Sequence, residues 1–109
     1  MTPKRLAGPV AIGTGVANVF NETDTKMKTV LRQVHVVNTT DNDGDFTLYL
    51  GLTGGSAAGT ELYSKQKVKA RAVFNDYIEI PLASTDFISG KATATGLVIT
   101  LSGDQDVII

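Results

Sequence analysis

The chain has 109 residues with ten basic and eleven acidic side chains, a formal net charge of −1 and no cysteine. This length suits one domain with one core, and the missing cysteine excludes a disulfide scaffold, thiolate catalysis and a cysteine zinc site. Because the charge is nearly balanced and no apolar run approaches the ~20 residues of a membrane helix, we expect neither nucleic acid nor a membrane as partner.

The first nine residues are predicted to form a flexible N-terminal arm. Residues 1–9 contain Lys4, Arg5 and Pro9 and few apolar side chains, and proline disfavours a helix. Such a segment is expected to be disordered when free and to become ordered on a partner. The domain itself is then predicted to span residues 10–109.

Alternating apolar and polar residues, typical of β-strands, recur along the rest of the chain. Gly13 and Gly15 separate two short apolar runs, which indicates a tight turn between two strands or a bulge in one. Arg32 interrupts the alternation of residues 29–38 and predicts a bulge or an edge position. After a turn rich in Asp, Asn and Gly, residues 46–51 alternate cleanly, and these two strands are predicted to pair as a hairpin.

The second half of the chain continues in the same way. Residues 53–60 are almost free of large side chains and predict a mobile loop. Residues 68–74 alternate small apolar with basic side chains and predict a half-exposed strand. Pro81 cannot donate a ladder hydrogen bond, so the end of the strand at residues 77–82 is predicted to lie at a sheet edge or beyond the pairing.

No segment sustains a helical period over a helix length. Seven or eight short strands at a spacing of ~8–12 residues are typical of all-β domains. The sequence therefore predicts a single-domain β-sandwich or a small jelly roll.

Asp41, Asp43 and Asp45 have the spacing of the first three ligands of a calcium loop. The positions that the EF-hand pattern assigns to Gly and Glu hold Phe46 and Leu52. A polar turn is therefore the preferred interpretation, with a weak surface cation site as the alternative. Folding is expected to be independent of divalent metal.

No catalytic or cofactor-binding constellation emerges from the sequence. His35 is the sole histidine, it has no Gly-x-Ser-x-Gly motif beside it, and a catalytic zinc would need further ligands. The glycine pairs lack the Gly-Lys-Ser/Thr of a phosphate-binding loop. We therefore expect a protein that is not an enzyme, with no cofactor and with a structural role for His35.

A basic stripe is the remaining charged feature. Its members alternate along the chain: Lys65, Lys67, Lys69 and Arg71. In one strand they would share a face, either as a solvated surface that discourages edge pairing or as a contact for an acidic partner.

Four stretches, residues 30–40, 46–51, 77–82 and 97–103, resemble small virion proteins of tailed bacteriophages. In these, a strand that ends in a Val-x-Asn step leads by a short turn into a Phe-Thr-Leu-like strand. The similarity covers residues 10–103. The family includes head decoration proteins and minor tail or head–tail components. The resemblance implies an all-β fold, a symmetric oligomer on the particle surface, and no catalytic residues.

A contact surface follows from outward strand positions, both termini and this resemblance. The candidate residues are Lys4, Arg5, Val37, Tyr49, Tyr77, Val98, Ile108 and Ile109. The leading hypothesis is a virion protein that decorates or cements a phage capsid as a homo-oligomer, with a trimer favoured, and binds the major capsid protein. A minor tail or head–tail junction protein that binds tail proteins is the alternative, and a carbohydrate-binding β-sandwich is the alternative of another class.

Overall fold

A computed structural model of the chain describes residues 2–21, 26–51, 60–83 and 86–107. These ranges contain strands, turns and bends, with no helix among them, and none of the described residues forms a helix long and apolar enough to span a membrane. The eight strands are β1 (Thr2–Ala11), β2 (Ala17–Asn21), β3 (Met27–Asn38), β4 (Gly44–Gly51), β5 (Glu61–Val68), β6 (Val73–Leu82), β7 (Phe87–Ala92) and β8 (Leu97–Val107). The predicted all-β class is confirmed.

The strands form two four-stranded antiparallel sheets, in the orders β1-β8-β3-β6 and β2-β7-β4-β5. β1 therefore pairs with β8, β2 with β7, β3 with β6 and β4 with β5. These four pairs follow one another as in a single long hairpin whose two arms are β1 to β4 and β5 to β8. The β3–β8 pairing joins two of the pairs into the first sheet, and the β4–β7 pairing joins the other two into the second sheet. This order is that of a jelly roll, one of the two architectures that the sequence predicts.

The core lies between the two sheets and is built from alternate positions of the central strands. Its fully buried side chains are Leu31, Val34, Val36, Phe46, Leu48, Ile88, Ile99 and Leu101. Burying a side chain of this size stabilises the fold by about 1.5–3 kcal/mol. This core fixes which face of each strand is left for the surface.

An aromatic cluster closes the core beside β5 and β6, which belong to different sheets. The rings of Phe46, Tyr63 and Phe74 lie with centroids 5.4–5.8 Å apart in tilted and edge-to-face pairs. Such geometry suits the ring quadrupoles and stabilises each pair by about 0.5–1.5 kcal/mol beyond area burial. The cluster ties β5 to β6 through side chains rather than through a strand pairing.

The N-terminal segment differs from the expected arm. Residues 2–11 form β1, which pairs along β8 from Thr2 opposite Gln105 to Ala11 opposite Val98. Two register shifts interrupt this pairing, between Arg5 and Ala7 and between Ala7 and Val10. Proline and glycine are compatible with an irregular edge strand, and that is the role of this segment.

The predicted hairpin of residues 29–38 and 46–51 is wrong. β3 lies in the first sheet, between β8 and β6, and β4 lies in the second, between β7 and β5. The buried side chain of Asn38 explains the change of sheet, because its amide donates to the carbonyl oxygens of Asn42 (2.8 Å) and Val68 (3.0 Å). These bonds direct the chain across the core to the opposite sheet. The connection at Gly13 and Gly15 likewise joins strands of different sheets.

One bulge prediction and one edge prediction are confirmed, and one strand prediction is wrong. The register of β3 shifts between Leu31 and Gln33 against both neighbours, so a bulge does lie at Arg32. Pro81 lies on β6, which is an edge strand of its sheet. Residues 68–74 do not form one strand, because a turn at residues 69–72 separates β5 from β6. The predicted mobile loop at residues 53–60 lies, except for Thr60, outside the described residues.

Candidate contact surface

The outer face of the β1-β8-β3-β6 sheet carries an apolar row that crosses all four strands. Val37 on β3 lies opposite Val98 on β8 and opposite Val73 on β6, and Ala11 on β1 lies opposite Val98. Directly opposed residues of antiparallel strands share a face, so the four side chains form one continuous row. Val73 is 54% exposed, while Val37 and Val98 are half-buried. This apolar row is one end of the candidate contact surface.

A polar band follows the apolar row. His35 lies opposite Thr100 on β8 and opposite Asn75 on β6. The amide nitrogen of Gln33 donates to Oδ1 of Asn75 over 2.7 Å, and Nδ1 of His35 lies 3.4 Å from the same oxygen. The sole histidine is thus part of an exposed polar network on the sheet surface.

The next row contains the most exposed large hydrophobic side chain of the described residues. Tyr77 on β6 is 74% exposed and lies opposite Gln33, which in turn lies opposite Ser102. Arg5 on β1 completes the row opposite Ser102. Small Ser102 between long neighbours leaves a shallow groove of about 520 Å³, lined by Pro3, Lys4, Arg5, Arg32, Gln33, Tyr77, Ser102, Gly103 and Asp104.

Charged residues form the other end of the candidate contact surface. The β3 bulge places Arg32 so that its guanidinium pairs with Asp104 on β8 and with Glu79 on β6, 3.4 Å away. The hydrogen bond that the guanidinium of Arg32 donates to Asp104 raises the pKa of Arg32 above its ordinary value. Arg32 therefore links the two strands that flank β3 and remains a cation at every physiological pH.

The structure brings several of the candidate contact residues together. Arg5, Val37, Tyr77 and Val98 lie on this one face, and Lys4 lines its groove and donates to Oε1 of Gln105 over 2.9 Å. Ile108 and Ile109 lie outside the described residues.

Tyr49 is not an exposed residue, so its predicted surface position is wrong. It lies on the other sheet, on β4 between β5 and β7, and is 6% exposed. Its alternation with Leu48 and Leu50 predicts an outward position, but β4 is a central strand of its sheet, so Tyr49 has neighbouring strands on both sides. The sequence pattern does not single out Val73, because residues 68–74 resemble one strand. A strand that starts at Val73, as β6 does, places Val73 in phase with Tyr77.

The predicted basic stripe is divided between a strand and a turn. Lys65 and Lys67 lie on β5, whereas Lys69 and Arg71 belong to the β5–β6 connection. Two of these cations lie close to carboxylates of the polar turn that contains Asp41, Asp43 and Asp45. Lys67 lies 3.6 Å from Asp43, and Arg71 lies 2.8 Å from Asp41.

Asp43 also receives a backbone hydrogen bond. The amide of Ala70 donates to its Oδ1 over 3.0 Å, and this bond, with the nearby Lys67, lowers the pKa of Asp43 below its ordinary value. The carboxylate therefore fastens the β3–β4 connection to the β5–β6 connection. Within the described ranges, no three His, Cys, Asp or Glu side chains are grouped so that they would hold a metal ion.

Comparison with known proteins gives one structural similarity. No family model matches the chain, and no curated protein matches it. The chain is similar to one in the "Structure of infectious bursal disease virus Gx strain", with a TM-score of 0.32 and 12% identity. That similarity covers 94% of this chain and 27% of the viral chain. The jelly-roll assignment therefore rests on strand order and pairing alone.

Proposed function

We propose that the chain is a non-enzymatic virion structural protein that decorates or cements the capsid of a tailed bacteriophage. The observation that carries the proposal is the exposed apolar row on the outer face of the β1-β8-β3-β6 sheet, with Tyr77 on the same face beyond the polar band. Jelly rolls are common in viral capsid proteins, although they also occur in lectin domains and cupins. The sequence resemblance to small phage virion proteins supports a viral structural role over that of a lectin domain or a cupin.

The composition of the surface supports a protein partner. Subunit interfaces combine an apolar centre with a polar rim and are enriched in Tyr and Arg. Here the valines at 37, 73 and 98 form the apolar part, and Tyr77 and Arg5 lie within the same sheet face. A contiguous exposed row of this kind is typical of an interaction site rather than of scattered surface residues.

Charge supplies the second element of the proposed attachment. Lys4 and Arg5 line the groove at the free edge of β1. Exposed cations of this kind steer a protein towards an acidic surface, and salt weakens the attraction. Attachment to an acidic capsid surface should therefore weaken as ionic strength rises.

We propose a homo-oligomer, with a trimer favoured, as the attached form. The resemblance implies a symmetric oligomer, and threefold positions of a capsid are natural docking points for a trimer. Light scattering on the purified protein tests this directly. A particle of about three times the 11.5 kDa chain mass supports the trimer, and a monomer at every concentration contradicts it.

Two alternatives remain distinct in what they bind. A minor tail or head–tail junction protein would use the same face against tail proteins. A carbohydrate-binding module would use the ring of Tyr77 as an apolar platform for a sugar and the amides of Gln33 and Asn75 as hydrogen-bonding groups. The chain has no tryptophan and few aromatic residues, which disfavours this alternative.

The test is binding to capsids assembled from the major capsid protein encoded by the same genome. Purified protein is mixed with mature, undecorated particles and with purified tails, and each mixture is sedimented at low and high salt. Capsid decoration predicts co-sedimentation with the capsids, stronger at low salt. Recovery with the tails alone would identify the tail alternative, and binding only to an immobilised glycan panel would identify the carbohydrate alternative.

A further inference from the structure

A small pocket lies on the opposite sheet from the proposed contact surface. It has a volume of about 260 Å³ and is lined by Thr14, Asp45, Thr47, Lys65, Lys91, Ala92 and Thr93. Lys91 lies opposite Thr47 on the neighbouring strand, and Lys65 reaches the same place from β5 on the other side of β4. Two lysines from different strands therefore meet one pocket. We call it the Lys65–Lys91 pocket.

Lys65 owes its position to an irregularity of β5. The pairing of β4 with β5 shifts between Phe46 opposite Gln66 and Leu48 opposite Tyr63, so two residues of β5 face Thr47. Lys65 has φ = 48°, a left-handed conformation that non-glycine residues rarely adopt. The backbone amide of Lys65 donates to Oγ1 of Thr47 over 3.0 Å, which holds this bulge in place. Strained bulges of this kind recur where a side chain is aimed at a site.

Hydrogen-bond donors dominate the pocket. Oγ1 of Thr47 accepts from Lys65, and Oγ1 of Thr93 accepts from the amide of Asp45 over 3.4 Å. Each threonine therefore keeps its hydroxyl hydrogen to donate, and neither has an acceptor for that hydrogen among the described residues. The ammonium groups of Lys65 and Lys91 likewise have no ion-pair partner in the described part of the chain.

The balance of charges favours an acceptor-rich, negatively charged ligand. The lining of the pocket contains two lysines and one acidic residue, Asp45, which gives it a net charge of +1. Phosphate and carboxylate groups accept several hydrogen bonds from such donors. A pocket of this volume admits a group the size of a phosphate or of one acidic sugar.

We propose that the Lys65–Lys91 pocket binds an oxyanion, the phosphate or carboxylate group of a small ligand. The two ammonium groups supply the attraction, and the hydroxyls of Thr47 and Thr93 donate to the ligand oxygens. The pocket lies on the sheet opposite the proposed capsid contact, so it is open to solution in a decorated particle. The inference does not depend on that function, because it rests on the pocket alone.

The test is an amide chemical-shift titration of the full chain at constant ionic strength. Inorganic phosphate, glucuronate and glucose are the three probes, and the amides of Asp45, Lys65 and Thr93 are the reporters. We expect saturable shifts with phosphate or glucuronate, or both, and none with glucose. Shifts with phosphate alone would assign the pocket to phosphate groups, and shifts with glucuronate alone would assign it to carboxylates. No saturable shift with either anion would overturn the proposal, as would equal binding of glucose.

Lysine variants test whether these two side chains hold the anion. Lys91→Met and Lys65→Gly should each weaken binding about fivefold, the upper range for an exposed ion pair, and Lys65→Gly keeps the backbone conformation accessible. Lys69→Met removes the same charge from the β5–β6 connection, outside the pocket, and should leave binding unchanged. Equal losses in all three variants would show non-specific attraction and contradict the assignment.

Discussion

Tyr63 on β5 donates its phenolic hydrogen to Oδ2 of Asp76 on β6 over 2.6 Å, and this bond joins the two sheets. Burial, and then the hydrogen bond to Asp76, raise the pKa of Tyr63 well above its ordinary value. A free tyrosine ionises near pH 10. The unfolded chain therefore releases this proton near pH 10, while the folded chain retains it to higher pH, so the folded state loses stability as pH rises above about 10.

Tyr63→Phe should remove this alkaline loss. At neutral pH the variant leaves the Asp76 carboxylate without its donor, and we expect a cost of about 1–2 kcal/mol in the free energy of unfolding. Between about pH 8 and pH 11 the variant should lose less stability than the wild type, because Tyr49 and Tyr77 are common to both proteins. Urea unfolding across this range measures the difference, and parallel pH dependences would contradict the role of Tyr63.

Asn38→Ala should be strongly destabilising. Besides its two donated bonds to the carbonyls of Asn42 and Val68, the Asn38 side chain accepts from the amide of Thr40 at 2.9 Å and from its hydroxyl at 2.7 Å. Asn38 is 2% exposed, so truncation leaves buried groups unsatisfied, at a cost of about 2–3 kcal/mol. Asn42→Ala is the matched control, since Asn42 contributes its backbone carbonyl, and should cost less than about 0.5 kcal/mol. Similar losses in both variants would show that the side-chain hydrogen bonds of Asn38 do not stabilise the β3–β4 connection.

Asp43→Asn should flatten the acid side of the stability profile. The pKa of Asp43 is lowered in the folded state, chiefly by the amide of Ala70 and then by Lys67. The carboxylate therefore contributes stability above its unfolded pKa of about 4, and this contribution disappears as pH falls through the lower folded pKa. Thermal melts from about pH 6 down to pH 2 should show a shallower loss in the variant than in the wild type. If the two profiles stay parallel, the hydrogen bond from the amide of Ala70 to Asp43 does not contribute to the stability of the folded state.

Lys65→Gly should stabilise the protein even though it removes a strand side chain. Glycine adopts the left-handed φ of 48° without the penalty that lysine carries, and relief of that penalty is worth about 1 kcal/mol. Lys67→Gly is the control on the same strand, where glycine should destabilise by about 0.5–1 kcal/mol. Chemical unfolding of the two variants should give shifts of opposite sign. Destabilisation in both would mean that the β5 bulge is not strained.

Local patterning predicts the faces of the strands better than their partners. Val37 and Val98 point outward as their alternation indicates, and the bulge at Arg32 follows from one misplaced polar residue. Pairing is different, because β3 pairs with β8, whose residues lie ~60–80 positions further along the chain. Nothing local specifies such a pairing, and the turn after β3 imitates a hairpin signal while Asn38 directs the chain to the other sheet.

Two of the wrong predictions, those for residues 1–9 and for Tyr49, have the same cause. Residues 1–9 read as an arm because proline and glycine interrupt them, yet β8 offers them a partner from the far end of the chain. Tyr49 reads as exposed because alternation places it outside the core, yet its strand is central in the sheet. Both outcomes depend on which strands become neighbours, and this information is distributed over the whole sequence.

The proposed function requires that the outer face of the β1-β8-β3-β6 sheet attaches the protein to a phage capsid. The most direct measurement is co-sedimentation of the wild type, of the double variant Val73→Glu/Tyr77→Glu and of the control Val16→Glu with undecorated capsids of the major capsid protein encoded by the same genome. Val16 is an exposed valine in the β1–β2 connection, away from this face, and unfolding curves confirm that all three proteins are folded. We expect the wild type and the control to bind equally and the double variant to bind at least about tenfold more weakly, the loss typical of truncated interface anchors. A wild type that stays in the supernatant at every salt concentration, or a double variant that binds as the wild type does, would contradict the account.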